Sequence, residues 1–167
     1  MSEVANRSDL SDLNVKNEDT QEGKYLTFHM GDEDYGIEIR YVTEIIGIQR
    51  ITDVPDMPGF IKGVINLRGK VIPVMDVRAR FNLPARDYDE RTCIIVVQLH
   101  TTSVGLVVDK VNEVADIPPE NIEPPPRATA GGSSEYIEGM GKMGDRVKIL
   151  LNVGKLLYDS EMEQLEL

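Results

Sequence analysis

The chain repeats itself. Gly36-Ile37-Glu38-Ile39-Arg40-Tyr41-Val42-Thr43-Glu44-Ile45 aligns without a gap with Gly105-Leu106-Val107-Val108-Asp109-Lys110-Val111-Asn112-Glu113-Val114, at an offset of 69 residues. A second pair of segments aligns at an offset of 76. Ile61-Lys62-Gly63-Val64 matches Ile137-Glu138-Gly139-Met140, Val71 matches Val147, and Val74-Met75-Asp76-Val77 matches Leu150-Leu151-Asn152-Val153. The seven extra residues lie between Glu113 and Gly139, in a stretch rich in Pro, Gly and Ser that reads as a loop. A duplication constrains the fold more than any single motif, because both copies must accept one backbone. Each copy spans roughly 60 residues, about 24–82 and about 93–158, and a unit of that size is marginal alone. Two lobes packed through their apolar faces make one cooperative domain.

Each copy opens on two β-type runs around a turn, YLTFHMGDEDYGIEI in the first and CIIVVQLHTTSVGLVV in the second. Short runs punctuated by Gly and Pro turns suit small open barrels. Each copy also ends in a helix-like piece. Asp76 precedes VRARF and Asn152 precedes VGKLL, and both side chains accept from the orphan N–H groups of a first turn. Pro84 stops the first piece, while Ser160-Glu161-Met162-Glu163 has capping-box spacing and carries the second to about Leu165. Pro118-Pro119, Pro124-Pro125-Pro126 and Gly131-Gly132-Ser133-Ser134 argue against regular strand over 118–134. Residues 1–23 are polar, acidic and without period, and read as a disordered tail.

Trp is absent and aromatic residues make up 5% of the chain against 41% apolar residues, so an aliphatic core is expected. Acidic residues outnumber Lys and Arg 29 to 18, for a net charge of -11. Binding to a phosphate backbone needs a basic surface that releases counterions, so nucleic acid is excluded as a partner. An anionic membrane surface is disfavoured for the same reason. Cys93 is the single cysteine, which leaves no internal disulfide or thiolate zinc site and fits a reducing compartment. No segment approaches the ~20 apolar residues of a membrane span. The first 23 residues hold no apolar run of a signal peptide. The expectation is a cytoplasmic protein without direct membrane insertion.

No catalytic constellation emerges. Cys93 and His100 bound one strand, roughly 23 Å apart at ~3.3 Å per residue, too far for a thiol and its base. His29 alternates with Phe28 and Met30 and reads as strand surface, and the two histidines lack metal-binding spacing. GMGKMGD over 139–145 is not followed by a helix, so it is no phosphate loop. The carboxylates of GDEDYG read as a solvated hairpin loop rather than a calcium site. No catalytic residue, metal or cofactor is expected.

The copies differ at one turn. GVINLRGKVIPVMDV over 63–77 reads as strand, tight turn and strand, with Gly69 supplying positive φ. Arg68-Gly69 corresponds to Gly144-Asp145, so the fold does not require an arginine there. An exposed Arg fork at a turn tip fits a partner's carboxylate or backbone carbonyls. The alternative is an ordinary solubilising charge. Positions common to both copies, Glu44 with Glu113 and Gly63 with Gly139, point to roles in the fold.

The stretches GIEIRYVTEI, GFIKGVINLRGKVIPVMDVRARF, SVGLVVDKVNEV and EYIEGMGKMGDRVKILLNVGKLL resemble the CheW family, the bacterial chemotaxis coupling proteins. The resemblance covers about 24–163. It implies a mainly β fold of two small five-stranded SH3-like barrels packed around a shared core, with short helices at the lobe ends. It implies a non-enzymatic adaptor that links the cytoplasmic tips of methyl-accepting chemoreceptors to the histidine kinase CheA. The kinase's regulatory domain has this same fold, and each lobe of the adaptor meets the opposite-type lobe of a kinase domain. Val42, Glu44, Gly63 and Arg68 match family positions associated with receptor coupling. The resemblance places the protein in the cytoplasm, recruited to membrane receptor arrays through its partners. Two other readings stay open at this level: a coupler of a pilus-type pathway, and an enzyme with an unrecognised site.

Overall fold

A computed structural model describes residues 21–126 and 135–157. Most of the expected tail, Gly131–Ser134 of the long loop and the capping box at Ser160–Glu163 lie outside the described residues. In chain order the strands are β1 (Lys24–Met30), β2 (Glu33–Glu38), β3 (Val42–Gly47), β4 (Ile61–Leu67), β5 (Lys70–Asp76), β6 (Cys93–Leu99), β7 (Thr102–Val108), β8 (Lys110–Asp116), β9 (Ile122–Glu123), β10 (Ile137–Met143) and β11 (Arg146–Leu151). Two short helices, α1 (Val77–Arg80) and α2 (Val153–Leu157), follow β5 and β11. Their caps are the expected ones. Ala79 N–H donates to the Asp76 side chain at 3.3 Å, and Lys155 N–H donates to Asn152 Oδ1 at 2.9 Å. The fold is mainly β. Among the described residues no helix is long and apolar enough to cross a membrane.

One sheet runs β8-β1-β2-β11-β10-β9 and the other β3-β6-β7-β5-β4. Applying the two sequence offsets turns the second order into β8-β1-β2-β11-β10, the first five strands of the other sheet. The match extends to irregularities. The register shift between Ile61 and Gly63 in the β4–β5 ladder recurs between Ile137 and Gly139 in the β10–β11 ladder. The parallel pair Val74↔Gly105 recurs as Leu150↔Gly36. The copies therefore share one backbone plan.

The sheets do not follow the halves of the chain. β3, β4 and β5 of the first copy lie with β6 and β7 of the second, and β1 and β2 lie with β8, β10 and β11. Lobes drawn as contiguous segments, about 24–82 and about 93–158, do not coincide with either sheet. Side-chain alternation tells which face of a strand is buried, not which strand lies beside it. The 118–134 stretch also holds more order than its prolines suggest. A single 3₁₀ turn at Pro119–Asn121 leads into β9, which pairs with β10 between the two proline clusters.

Three apolar clusters fill the molecule. Ile65, Ile72, Val74, Ile94, Val96 and Val107 fill the five-stranded lobe. Tyr25, Ala115, Ile117 and Leu150 fill the six-stranded one. The largest cluster joins them and draws on both halves of the chain, with Leu26, Ile37, Met75, Ile95, Leu106 and Leu151 among its members. It is not purely aliphatic. All three phenylalanines lie in it, and Phe28, Tyr35, Phe81 and Tyr136 form a continuous row with centroids 5.6 to 5.9 Å apart. The few aromatics are concentrated where the copies meet, at spacings that favour ring contact. There the Arg80 guanidinium lies between Phe60 and Tyr136, 4.3 and 4.4 Å from their ring centres.

Asp34 departs from expectation. It sits on β2, 7% exposed, rather than in a solvated loop. Lys148 Nζ on β11 donates to it at 2.7 Å, His29 Nδ1 at 2.8 Å and Asn112 Nδ2 at 3.3 Å. Burial alone would raise its pKa. The hydrogen bonds from Lys148 and His29, the Lys148 charge and the Asn112 hydrogen bond outweigh that and hold the carboxyl at about 2. His29, expected as plain strand surface, is thereby half-buried and tied to its hairpin partner.

Candidate functional site

The turn that singles out the first copy joins β4 to β5. Arg68 has φ 52° and Gly69 φ 84°, so both central residues are left-handed, as a type I′ hairpin requires. The Asn66 side chain accepts from Gly69 N–H at 2.8 Å and closes the turn. At the position equivalent to Arg68 the second copy has Gly144 with φ 64°. The two turns are alike, and glycine satisfies this backbone without strain. Arginine in a left-handed conformation is the less favourable choice, so the turn itself gives no reason for Arg68.

Its side chain shows one. Arg68 Nη1 and Nη2 donate to the two Glu44 oxygens, each at 2.7 Å, in a fork-to-fork pair. The Arg68 hydrogen bonds and charge hold the Glu44 carboxyl below its ordinary value, and Glu44 raises the guanidinium in turn. The pair ties the β4–β5 turn to β3, at the opposite edge of the five-stranded sheet. Arg68 is therefore not a bare fork awaiting a carboxylate, because Glu44 already fills that role. Its side chain is still 72% exposed, and three of its five N–H donors remain. A partner docking here would meet an ion pair.

A bulge aims Glu44. Val42 pairs with Val97 and Glu44 with Val96, which leaves Thr43 as the extra residue. Thr43 Oγ1 donates to the Val96 carbonyl at 3.1 Å and holds the bulge in place. Simple alternation would put Val42 and Glu44 on one face of β3. The bulge separates them. Val42 packs with Val97 against the shared core, while Glu44 lies on the Val96 face, above the interior of the five-stranded lobe.

Gly63 belongs to the same hairpin but presents nothing to a partner. It is buried at φ 152°, and a Cβ there would lie 2.1 Å from the Thr52 carbonyl oxygen. Thr52 bridges Val64 through hydrogen bonds of 2.8 and 2.9 Å, so the chain after β3 lies directly across β4 at this glycine. Of the four candidate residues, Glu44 and Arg68 are brought together. Val42 is on the opposite face of the same strand, and Gly63 acts through the backbone.

Exposed apolar points on both lobes are expected of a coupling protein, and the structure supplies the residues that motifs could not assign. Ile45, Val71, Val114 and Val147 are the large apolar residues left exposed among the described residues. They are two equivalent pairs, Ile45 with Val114 and Val71 with Val147. Each lobe thus shows an apolar residue at the same two points. The repeat contained the signal, since both pairs are aligned positions, but alignment carries no exposure.

Comparison with known proteins agrees with the plan. The family model described as CheW-like domain matches residues 24–161. The chemotaxis protein CheW of Klebsiella aerogenes is 41% identical over 139 residues, covering 83% of this chain and 84% of that protein. The chemotaxis protein CheW of Bacillus subtilis is 33% identical over 141 residues, covering 84% and 90%. The crystal structure of the scaffolding protein TtCheW from Thermoanaerobacter tengcongensis superposes with a TM-score of 0.76 at 37% identity, covering 83% of this chain and 94% of that one. On the strength of the family match and these relatives, the chain belongs to the CheW-like domain family.

Proposed function

We propose that this protein is a non-enzymatic chemotaxis adaptor that couples the cytoplasmic tips of chemoreceptors to the histidine kinase CheA. The observation that carries the reading is the Glu44–Arg68 pair on a CheW-like fold. It is an exposed, oriented ion pair at a turn whose duplicate manages with Gly144-Asp145. The duplicate turn does without such a pair, which supports reading it as a recognition feature. Receptor contact falls to Val42, Glu44 and Arg68. Gly63 supports that surface by letting the 51–53 segment lie on β4. Kinase contact falls to the apolar points repeated on the two lobes, Val71 and Val147 together with Ile45 and Val114. Two lobes with one plan suit a partner domain that itself has two such lobes.

The test is co-sedimentation of the full chain with receptor fragments and kinase. The expected result is a ternary complex in which kinase activity depends on this protein. Val42→Lys should weaken receptor binding more than kinase binding, and Val114→Lys with Val147→Lys should do the reverse. A chain that melts cooperatively but recruits neither partner overturns the reading.

A further inference from the structure

The six-stranded lobe carries a feature that the coupling surface does not use. A cleft of about 430 Å³ opens beside β1, β8 and β11, and its walls bring together Arg91, Lys110, Arg146 and Lys148 against Asp34 and Glu113. Four cations against two carboxylates give this cleft a residual charge of +2 on a chain whose net charge is -11. Among the described residues neither the Lys110 ammonium nor the Arg91 guanidinium lies within 4.0 Å of a carboxylate, and Arg91 acts on Asp89 only at longer range.

The floor is more telling than the rim. Lys148 is 7% exposed, and among the described residues its ammonium has one partner, Asp34. An ammonium has three N–H donors, so two remain for whatever occupies the cleft that Lys148 lines. Asp34 is meanwhile crowded, accepting from Lys148, His29 and Asn112 with Arg146 3.4 Å away. Donors exceed acceptors throughout the cleft.

Internal comparison shows that the fold does not need this arrangement. Lys148 is equivalent to Ile72 and Asp34 to Ser103 in the other lobe. Ile72 is ordinary apolar interior, 3% exposed. A buried ion pair in place of packed apolar groups is seldom a gain in stability. Its presence in only one of two equivalent lobes calls for a role outside folding.

We propose that this cleft is a binding site for a dianionic oxyanion of the phosphate type, held by Lys148 at the floor and by Arg91, Lys110 and Arg146 at the rim. Two negative charges balance the residual charge. A planar guanidinium and an ammonium are the usual donors for such a group. The acidic remainder of the surface opposes extended polyanions, which restricts the site to a single group. That group is either a free phosphate species or a phosphomonoester carried on a partner.

The probes are inorganic phosphate and a phosphoserine tripeptide, titrated into the full chain at constant ionic strength set with chloride and followed by NMR. Saturable shifts confined to His29, Asn112 and Lys148 are expected. Tighter binding of the peptide would identify a partner-borne group, and equal or weaker binding a free one. Arg91→Glu with Lys110→Glu changes only exposed residues and should weaken binding at least tenfold. Asp34→Ser with Lys148→Ile copies the other lobe, and should leave a folded protein that no longer binds. Shifts scattered over surface lysines, or affinity unchanged in both variants, would overturn the site.

Discussion

At the scale of single residues, the pair of Glu44 and Arg68 separates recognition from folding. Arg68→Ala should leave a cooperative melt. If Arg68 is an interface hot spot, coupling should weaken roughly thirtyfold in assembly with receptor and kinase. Arg68→Gly should melt no lower than the parent, because glycine suits φ 52° better. A reversed pair, Glu44→Arg with Arg68→Glu, discriminates further. If the pair only braces the turn against β3, the reversal restores coupling. If a partner reads the arginine, it does not. Asp34 makes a prediction about pH. Its folded pKa is about 2 against an ordinary 3.8, so the folded state favours the ionised form. The resulting stability is fully present above about pH 4 and is lost as pH falls toward 2. It amounts to about 2 kcal/mol, and an acid titration of the melt should show the loss. Asp34→Asn would leave Lys148 buried without its counter-charge and should cost about 3 kcal/mol. Neither residue's partner was legible beforehand. Lys148 lies 114 residues from Asp34, and no local pattern connects a hairpin aspartate to a strand that far away.

At the scale of elements, β3 and β4 show what a repeat can and cannot reveal. The offsets of 69 and 76 matched the equivalent strands of the two copies correctly, and Asp76 and Asn152 marked both helix starts. Those features are local, set by turn chemistry and capping, and they can be read along the chain. The bulge at Thr43 was not readable, because one extra residue in β3 matters only against a neighbour, and that neighbour is β6. Deleting Thr43 should remove the bulge and leave Val42 opposite Val97 and Glu44 opposite Val96, so Glu44 keeps its face and its pair with Arg68, at the cost of the Thr43 hydrogen bond to Val96. The fold should survive in weakened form, since the residues beyond the bulge keep their register. Gly63 gives a harder test of the β4 architecture. Gly63→Ala would place a methyl 2.1 Å from the Thr52 oxygen at a φ that side chains rarely adopt. The Thr52–Val64 bridge must then open, and destabilisation of about 3 kcal/mol is expected by denaturant titration. Receptor binding should fall with it, because the displaced segment borders the Arg68 hairpin.

At the scale of the whole molecule, the exchange of strands between halves governs behaviour. Neither half can complete a sheet by itself, since β1 needs β8, β3 needs β6, and β2 needs β11. Separate chains covering 1–88 and 89–167 should each lack fixed tertiary structure and should regain the native fold on mixing, read as recovery of cooperative melting. If either fragment melts cooperatively alone, the exchange is not what stabilises the protein. A protease cut within 127–134 should for the same reason leave both pieces bound until denaturant is added. The exchange also has a consequence for biosynthesis. A ribosome releases β1, β2 and β3 early, yet the last strand they depend on ends at Leu151. At ordinary translation speeds the interval is on the order of ten seconds. Throughout it the nascent first half exposes strands as apolar as Tyr25–Phe28 with no completed sheet to bury them. Expression yield should therefore depend on the pace of elongation through the second half and on chaperone supply, more than on the stability of the finished protein.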